Sequence, residues 1–247
     1  MRELFALSLI GLTAILFLLI WLWTSKNPFK GVRIIKPYQA LEKKHVESLE
    51  TGKRLVFGLG NSLLSQGLAI GGLIGLPILR KLTQQALFGE HAPLVLSGEG
   101  SLAGLSQLVL YEVYRDAFVQ ELFQQDNSQL CGTTAIAYMA GCLPEVHQEV
   151  NGGLVLVGHL RPEMGLLADM ASRADLYCLA ASDSPAGQAV FYGSTSQAVI
   201  GENFFAAGAS LKANPFHAVS LRVQDVLRVL IIIGLIVGSI LKVWGAI

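Results

Sequence analysis

The 247-residue chain is 52% hydrophobic and only 15% charged, and its 18 Lys and Arg residues balance its 18 Asp and Glu residues. Soluble domains usually carry about 25% charged residues, so this composition, with a mean hydropathy of +0.52, indicates a membrane protein. The three cysteines, Cys131, Cys142 and Cys178, form neither a CxxC motif nor a zinc-ligand pattern. This predicts unpaired thiols in a reducing compartment and no metal site.

Residues 4–23 form an uncharged, apolar run near the start of the chain. As a helix this run is about 30 Å long, which matches the apolar thickness of a bilayer. A cleaved signal peptide has a shorter apolar run and a small-residue cleavage site, and neither feature occurs here. We therefore predict an N-terminal transmembrane helix within residues 1–25, with interface residues Trp21, Trp23, Lys26 and Lys30.

The juxtamembrane neck at residues 26–53 is basic, because with Arg54 it holds eight Lys and Arg residues against three Glu residues. Two interpretations remain open: a solvated helix or strap, or a segment that contacts anionic lipid headgroups. His45 is expected to be solvated in this charged segment. Residues 80–225 instead carry seven basic and fourteen acidic residues. Such an acidic body would repel nucleic acid, so no nucleic-acid partner is expected.

Residues 54–213 show alternating strand and helix patterns. Four continuous apolar runs predict strands that are buried on both faces: RLVFGLG (54–60), PLVLSGEG (93–100), GLVLVGHL (153–160) and DLYCLAASD (175–183). Helical spacing occurs between them, at 62–88, 102–124, 133–142, 162–174 and 185–193, with Thr133 as a candidate cap and Ser184-Pro185 as a helix start. This alternation predicts a three-layer, mostly parallel, Rossmann-like α/β domain.

The stretch GLAIGGLIGLPIL (67–79) places Gly67, Gly71 and Gly75 on one face of a helix. In the favoured interpretation, this is the first crossover helix, and its glycine face packs closely on the sheet. The alternative is a membrane or re-entrant segment, in which small residues line a helix-packing seam. The stretch follows a predicted strand and lies in a region rich in Gly, Ser, Asn and Gln, which favours the crossover helix.

Small and polar residues follow each predicted strand, where parallel α/β sheets bind their ligands. Glycines there permit close approach to a ligand, and the amino ends of the following helices favour anions. Three roles remain open for these residues: turns and helix caps, which we favour, ligand binding, and acid–base catalysis by Glu99 and Asp183. No complete dinucleotide fingerprint or phosphate-binding loop is present, so no cofactor is predicted. The candidate ligand-binding residues are Gly58, Gly60, Ser97, Glu99, His159, Arg161 and Asp183.

Residues 214–247 are predicted to form one long helix that leaves the domain and spans the membrane. Asn214-Pro215 is a helix-start signal, and the run from Val229 to Leu241 is uncharged. The interface residues at this span are Arg228, Lys242 and Trp244. Positive charge after the first helix places the main domain in the cytoplasm and both termini outside.

The sequence SRADLYCLAASDSPAGQAVFYGSTSQAVIGENFFAAGASL (172–211), followed by PFHAVSLRVQDVLRVLIII (215–233), resembles an uncharacterised bacterial membrane-protein family, a domain of unknown function. The resemblance covers most of residues 30–240. It implies a bacterial membrane protein and transfers no catalytic residues to this chain. The predicted location is therefore the bacterial cytoplasmic (inner) membrane.

Two functional hypotheses follow. The favoured one is a membrane-anchored, non-enzymatic structural protein that assembles with copies of itself, or with other membrane proteins, at the cytoplasmic face of the bilayer. It rests on the two predicted anchors, the small-residue faces and the lack of a convincing catalytic set. The alternative is a sensor or enzyme that binds a nucleotide-like or anionic small ligand at the strand ends.

Overall fold

The computed structural model describes residues 2–24, 29, 33, 35–61, 70–213 and 215–243. They belong to two compact units, of which one comprises residues 1–33 with 214–247 and the other residues 34–213. The described helices are α1 (Arg2–Thr24), α2 (Lys36–Glu50), α3 (Ile70–Gln85), α4 (Gly100–Asp116), α5 (Ala135–Cys142), α6 (Met164–Arg173), α7 (Pro185–Ser194), α8 (Ala207–Ser210) and α9 (Pro215–Val243). The strands are β1 (Arg54–Gly60), β2 (Leu94–Ser97), β3 (Ser128–Leu130), β4 (Asn151–His159), β5 (Tyr177–Ser182) and β6 (Gln197–Val199).

The second unit contains a six-stranded sheet with the strand order β3-β2-β1-β4-β5-β6. Every neighbouring pair is parallel, and Val56 of β1 pairs with Leu94 on one side and Leu154 on the other. The predicted parallel α/β fold is therefore confirmed. The order reverses between β1 and β4, so the chain builds the sheet outward from the middle in both directions.

Helices cover both faces of this sheet. Alternate side chains of each strand point to opposite faces, so neighbouring residues of a strand pack against different helices. Val56 faces α6 and α7, where it shares a buried cluster with Leu167 and Phe191. Leu59 faces α3, since a Cβ atom on Gly75 would lie 2.6 Å from the Leu59 Cδ2 atom. Both faces are apolar, which explains the continuous apolar runs of the strands.

Side-chain caps start several of the helices as the sequence predicts. The Ser184 hydroxyl accepts a hydrogen bond from the Gly187 amide at 3.4 Å, and Pro185 occupies the first turn of α7. At α5, however, the cap is Thr134, whose hydroxyl accepts from the Ala137 amide at 3.2 Å. The prediction of Thr133 was wrong by one residue.

The helical part of the basic neck belongs to the α/β unit. Helix α2 contacts β1 and β4, with Tyr38, Leu41, His45 and Ser48 buried on one face. The Tyr38 hydroxyl donates to the Phe204 carbonyl oxygen at 3.2 Å. His45 is only 2% exposed, so the expectation of a solvated histidine was wrong. Its helix covers apolar sheet surface with one face and presents its charges on the other.

The glycine-rich stretch lies partly in α3. Gly67 is outside the described residues, whereas Gly71 and Gly75 occupy the first turns of α3. A Cβ atom on Gly71 would lie 2.7 Å from the His159 amide nitrogen, and one on Gly75 would lie 3.4 Å from the Val157 carbonyl oxygen. From Ile70 onward, the absence of side chains brings α3 directly against β1 and β4.

In the other unit, α1 and α9 contact each other, and Trp21 stacks on Phe216 with ring centroids 6.1 Å apart. The segment Pro215–Lys242 is long and apolar enough to cross a membrane, and only 6% of its apolar window is buried. It is the one such helix among the described residues, which confirms the predicted C-terminal apolar helix. Trp23, Arg228 and Lys242 are exposed. The predicted interface residues Lys26, Lys30 and Trp244 lie outside the described residues.

Candidate ligand site at the carboxyl ends of the strands

The candidate site lies where β1 and β4 end. These central strands lead to crossovers on opposite sides because the strand order reverses between them. In open α/β sheets, ligands bind outside the carboxyl ends of the strands at such a reversal. Gly60 ends β1, His159 ends β4, and the two residues are paired across the sheet.

The backbone conformation and a close neighbour both require glycine at position 60. Its φ angle is +84°, and a Cβ atom there would lie 2.7 Å from the His159 carbonyl oxygen. The Gly60 carbonyl also accepts a hydrogen bond from the Gly98 amide at 2.8 Å. This predicted ligand-binding residue therefore joins the ends of β1, β2 and β4.

His159 and Asp183 form the polar centre of the site. The His159 Nδ1 atom lies 2.8 Å from the Asp183 Oδ1 atom, and the two side chains are 18% and 19% exposed. The first turn of α3 lies against this pair, since a Cβ atom on Gly71 would lie 2.9 Å from the Asp183 Oδ2 atom. The sequence predicts both members of the pair, and the structure brings them together.

Ser182 connects the loops that follow β4 and β5. Its hydroxyl accepts from the Leu160 and Ser184 amides and donates to the Leu160 carbonyl, each at 3.1 Å. The Gln188 side chain donates to the Ser182 carbonyl at 2.7 Å. These bonds hold Asp183 beside His159. Gln188 carries no sequence signal for this role, because its contact depends on the turn into α7.

Glu99 acts as the cap of α4. Its carboxylate accepts hydrogen bonds from the Leu102 amide at 2.9 Å and from the Ser101 hydroxyl. Partial burial acts to raise the pKa of Glu99, but these hydrogen bonds outweigh it and the pKa lies below its ordinary value. The protein's own carboxylate thus occupies the helix terminus at which an external anion would bind.

Gly58 and Ser97 face the interior. A Cβ atom on Gly58 would lie 2.9 Å from the Tyr138 hydroxyl, so the glycine makes room for that ring. The Tyr138 hydroxyl donates to the Leu96 carbonyl at 3.0 Å and accepts from the Gly60 amide at 3.2 Å. Burial raises the pKa of Tyr138 well above its ordinary value. The Ser97 hydroxyl is buried and makes no hydrogen bond within the described residues.

Arg161 is the most accessible of the predicted residues. It follows β4 by two positions and is exposed. No ion pair joins it to another residue in the described part of the chain. An exposed guanidinium at this edge can pair with a phosphate or carboxylate.

Within the described residues, the arrangement holds polar groups in place and places no nucleophile beside His159. Across the described ranges, the hydrogen bond of the His159 ring goes to Asp183, and no Ser, Thr or Cys side chain extends the pair into a triad. In the same residues, no group of three His, Cys, Asp or Glu side chains is placed to hold a metal ion.

A separate cavity of about 390 Å³ lies at the amino ends of the strands, where β5 and β6 begin. Lys44 and Asp175 contribute charges of both signs to its wall, and Tyr177 contributes its ring. This cavity is formed away from His159 and Asp183, so it is not part of the candidate site.

Together, the fold and the site define an open, parallel α/β domain in a chain that also carries an apolar helix of membrane-spanning length. The family model for Domain of unknown function (DUF6754) matches residues 2–247, and the chain belongs to this family. No curated protein and no solved structure matches the chain. The resemblance to a family of unknown function is thereby confirmed.

Proposed function

We propose that this chain is a membrane-anchored, non-enzymatic assembly protein whose α/β unit binds further copies of itself at the cytoplasmic face of a bacterial inner membrane. The observation that carries the proposal is a set of exposed apolar side chains on α4, on the edge strand β3 and on the segment that joins them. We name this set the β3-edge surface; it comprises Leu108, Tyr111, Phe118, Leu122 and Leu130.

The β3-edge surface is built on packed elements. The Ser128 hydroxyl of β3 donates to the Ala103 carbonyl of α4 at 2.9 Å. Tyr111 packs edge-on against Phe123, with ring centroids 5.5 Å apart. Phe118 is 89% exposed and Leu130 is 52% exposed. Large exposed apolar groups beside an unpaired strand edge favour association with another chain. Because homomers are usually symmetric, a two-fold contact between copies is the simplest form.

The membrane part of the proposal rests on both ends of the chain. Helix α9 has the length and exposed apolar surface of a spanning helix, and we propose the apolar α1 as a second span. Lys26, Lys30 and Arg33 follow α1 in the sequence and favour the cytoplasmic side. Both termini then lie outside. Lipid is the first partner of this chain, and a second copy of it is the next.

The internal pairing at the strand ends supports a structural role. Glu99 caps α4, Asp183 pairs with His159, and Tyr138 bonds the end of β1. Each of these groups therefore has a hydrogen-bond partner within the fold. In a catalytic site, by contrast, an activated nucleophile and its base share a hydrogen bond.

The test is the mass of the full-length chain in lipid nanodiscs or detergent, measured by mass photometry. We expect an oligomer for the wild type and a monomer for the double variant Phe118→Asp, Leu130→Asp. Phe118 has a φ angle of +59°, a conformation that Asp accepts better than Phe, so the variant is expected to fold. The matched control is Phe88→Asp, since Phe88 is also exposed but lies outside the β3-edge surface.

A strictly monomeric wild type across protein concentrations would overturn the assembly proposal. Equal loss of the oligomer in Phe88→Asp would show that any added charge disrupts the particle, and it would remove the β3-edge surface as the contact. Circular dichroism spectra of all variants establish that the α/β unit is folded in each.

A second candidate function is the sensing of an anionic, nucleotide-like ligand. The strand-order reversal between β1 and β4 and the exposed Arg161 favour it. Native mass spectrometry of the purified protein, with thermal shifts across a nucleotide panel, tests this function. A bound mass that is lost in Arg161→Ala and kept in Arg173→Ala supports it, because Arg173 is exposed but paired with Asp169. No bound mass and no thermal shift would overturn it.

A further inference from the structure

We propose that Cys131 and Cys142 form a redox-active dithiol, a modification site at which peroxide oxidation closes a reversible disulfide bond. Both thiols are free in this structure. The proposal does not rest on the assembly proposed above, although Cys131 directly follows Leu130 of the β3-edge surface, and it uses residues outside the His159 and Asp183 pair.

The backbone brings the two cysteines together. Cys131 directly follows β3 and is fixed there, because its amide donates to the Ser97 carbonyl at 2.9 Å. The last turn of α5 packs on it, since a Cβ atom on Gly141 would lie 2.8 Å from the Cys131 Cβ atom and 2.5 Å from its carbonyl oxygen. Cys142 follows Gly141 in this turn, and only a glycine before it permits such a close approach.

The two thiols have different environments, as an attacking and a resolving thiol require. Cys142 is buried, whereas Cys131 is partly exposed and accessible to a small oxidant. The hydrogen bond from Cys142 lowers the pKa of the Cys131 thiol. The same contact, with burial, raises the pKa of Cys142. The thiolate is the reactive form of cysteine, so Cys131 is the thiol that reacts first.

The chemistry balances with a peroxide as the oxidant. The Cys131 thiolate attacks one peroxide oxygen, the O–O bond breaks, and a sulfenic acid and hydroxide form. The Cys142 sulfur then attacks the Cys131 sulfur, the S–OH bond breaks, and the S–S bond forms as hydroxide leaves. The two thiol protons and the two hydroxides become two waters. The dithiol loses two electrons, and the peroxide gains them.

Cys178 provides an internal control. It lies in β5, is 5% exposed, and its thiol is close to Thr195 rather than to another cysteine. Burial raises the pKa of Cys178 to about 12, which disfavours its thiolate. One chain thus contains a paired, partly exposed thiol and an isolated, buried one.

The experiment uses the full-length protein in detergent, reduced with dithiothreitol, freed of reductant and titrated with hydrogen peroxide. Peptide mapping by mass spectrometry is expected to show a Cys131–Cys142 disulfide, loss of two of the three free thiols, and full reversal by dithiothreitol. Cys178→Ser is expected to behave as the wild type. In Cys142→Ser, Cys131 is expected to stop at the sulfenic acid, which dimedone labels.

The proposal is overturned if Cys131 and Cys142 stay reduced at peroxide concentrations that oxidise the same protein in urea. It is also overturned if Cys178 enters the disulfide in the folded protein, or if Cys131 proceeds to the sulfinic acid without a disulfide. The wild-type map decides these outcomes without any variant, so a variant that fails to fold does not affect them.

Discussion

The two units of this chain use the same apolar residue types in opposite ways. In the α/β unit, Phe57 and Val155 are fully buried on the neighbouring strands β1 and β4. In α9, Ile231 is 62% exposed and Leu235 is 67% exposed. Burial in a protein core removes apolar surface from water by packing it against other side chains. The exposed apolar surface of α9 instead belongs to a helix that is long and apolar enough to cross a membrane.

The two units are stabilised in different ways. The α/β unit depends on internal packing, where each large buried side chain contributes about 1.5–3 kcal/mol. Helix α9 satisfies its backbone groups internally, which a membrane-crossing helix requires, and it presents exposed apolar side chains such as Ile231 and Leu235. Replacing a large buried side chain by a small one should therefore destabilise the α/β unit. Introducing a charge into the apolar part of α9 should instead weaken membrane binding.

The largest expected effect is that of Phe57→Ala in β1. Phe57 is fully buried, and removing a buried aromatic side chain costs about 3–5 kcal/mol. Chemical unfolding in detergent measures the free energy of unfolding. The control Leu235→Ala in α9 is expected to change it by less than about 0.5 kcal/mol. Equal losses in the two variants would contradict the comparison.

The next effect is that of Leu235→Arg, placed in the middle of the uncharged part of α9. An arginine at the centre of a membrane span costs about 2.5–3.5 kcal/mol of insertion free energy. We expect a smaller membrane-bound fraction after alkaline washing, with an unchanged unfolding free energy of the α/β unit. If membrane binding is unchanged while the α/β unit loses stability, α9 is a packing helix and not a span.

A smaller effect is predicted for Gly60→Ala at the end of β1. Its φ angle of +84° and the nearby His159 carbonyl make this substitution cost about 1–3 kcal/mol. The matched control is Gly104→Ala in α4, where a Cβ atom meets nothing within 4 Å and stability is expected to rise by about 0.4–1 kcal/mol. The melting temperatures of the two variants should therefore shift in opposite directions. A shift of the same sign in both would refute the packing at the strand ends.

The smallest predicted effect is the pH dependence due to His45. Burial lowers the pKa of His45, and nearby Lys81 lowers it further. The folded state thus favours the neutral ring, so the stability is fully present above about pH 6.5 and is lost as the pH falls toward the lowered value. As the pH is lowered from 7.5 to 5.5, the melting temperature is expected to fall less steeply in His45→Leu than in the wild type. Parallel curves would contradict the buried position of His45.

The sequence predicts the central strands well because each is a continuous apolar run. The predicted strand 54–60 matches β1 in both bounds. Strands β3 and β6 have only three residues each, and pairing with β2 and β5 defines them. No local pattern can predict such strands. For α2, the buried positions Tyr38, Leu41, His45 and Ser48 do follow helical spacing, but the many charges between them favoured a solvated segment.

At the strand ends, sequence reasoning identifies the residues but not their contacts. His159 and Asp183 lie 24 positions apart, and their pairing depends on β4 and β5 being neighbours. Tyr138 was not predicted because its role depends on the space above Gly58. Its hydroxyl reaches the end of β1 only after α5 has packed on the sheet. Close contacts between distant segments therefore account for what the sequence did not predict.

The most direct test of the central claim is flotation of the full-length chain with liposomes on a density gradient, followed by an alkaline carbonate wash. If α9 lies in the bilayer, the chain is expected to float with the lipid and to stay there after the wash. Protease treatment of the intact liposomes should leave a protected fragment that contains α9. A chain that remains in the aqueous fractions, or that the wash releases completely, would contradict a lipid environment for α9.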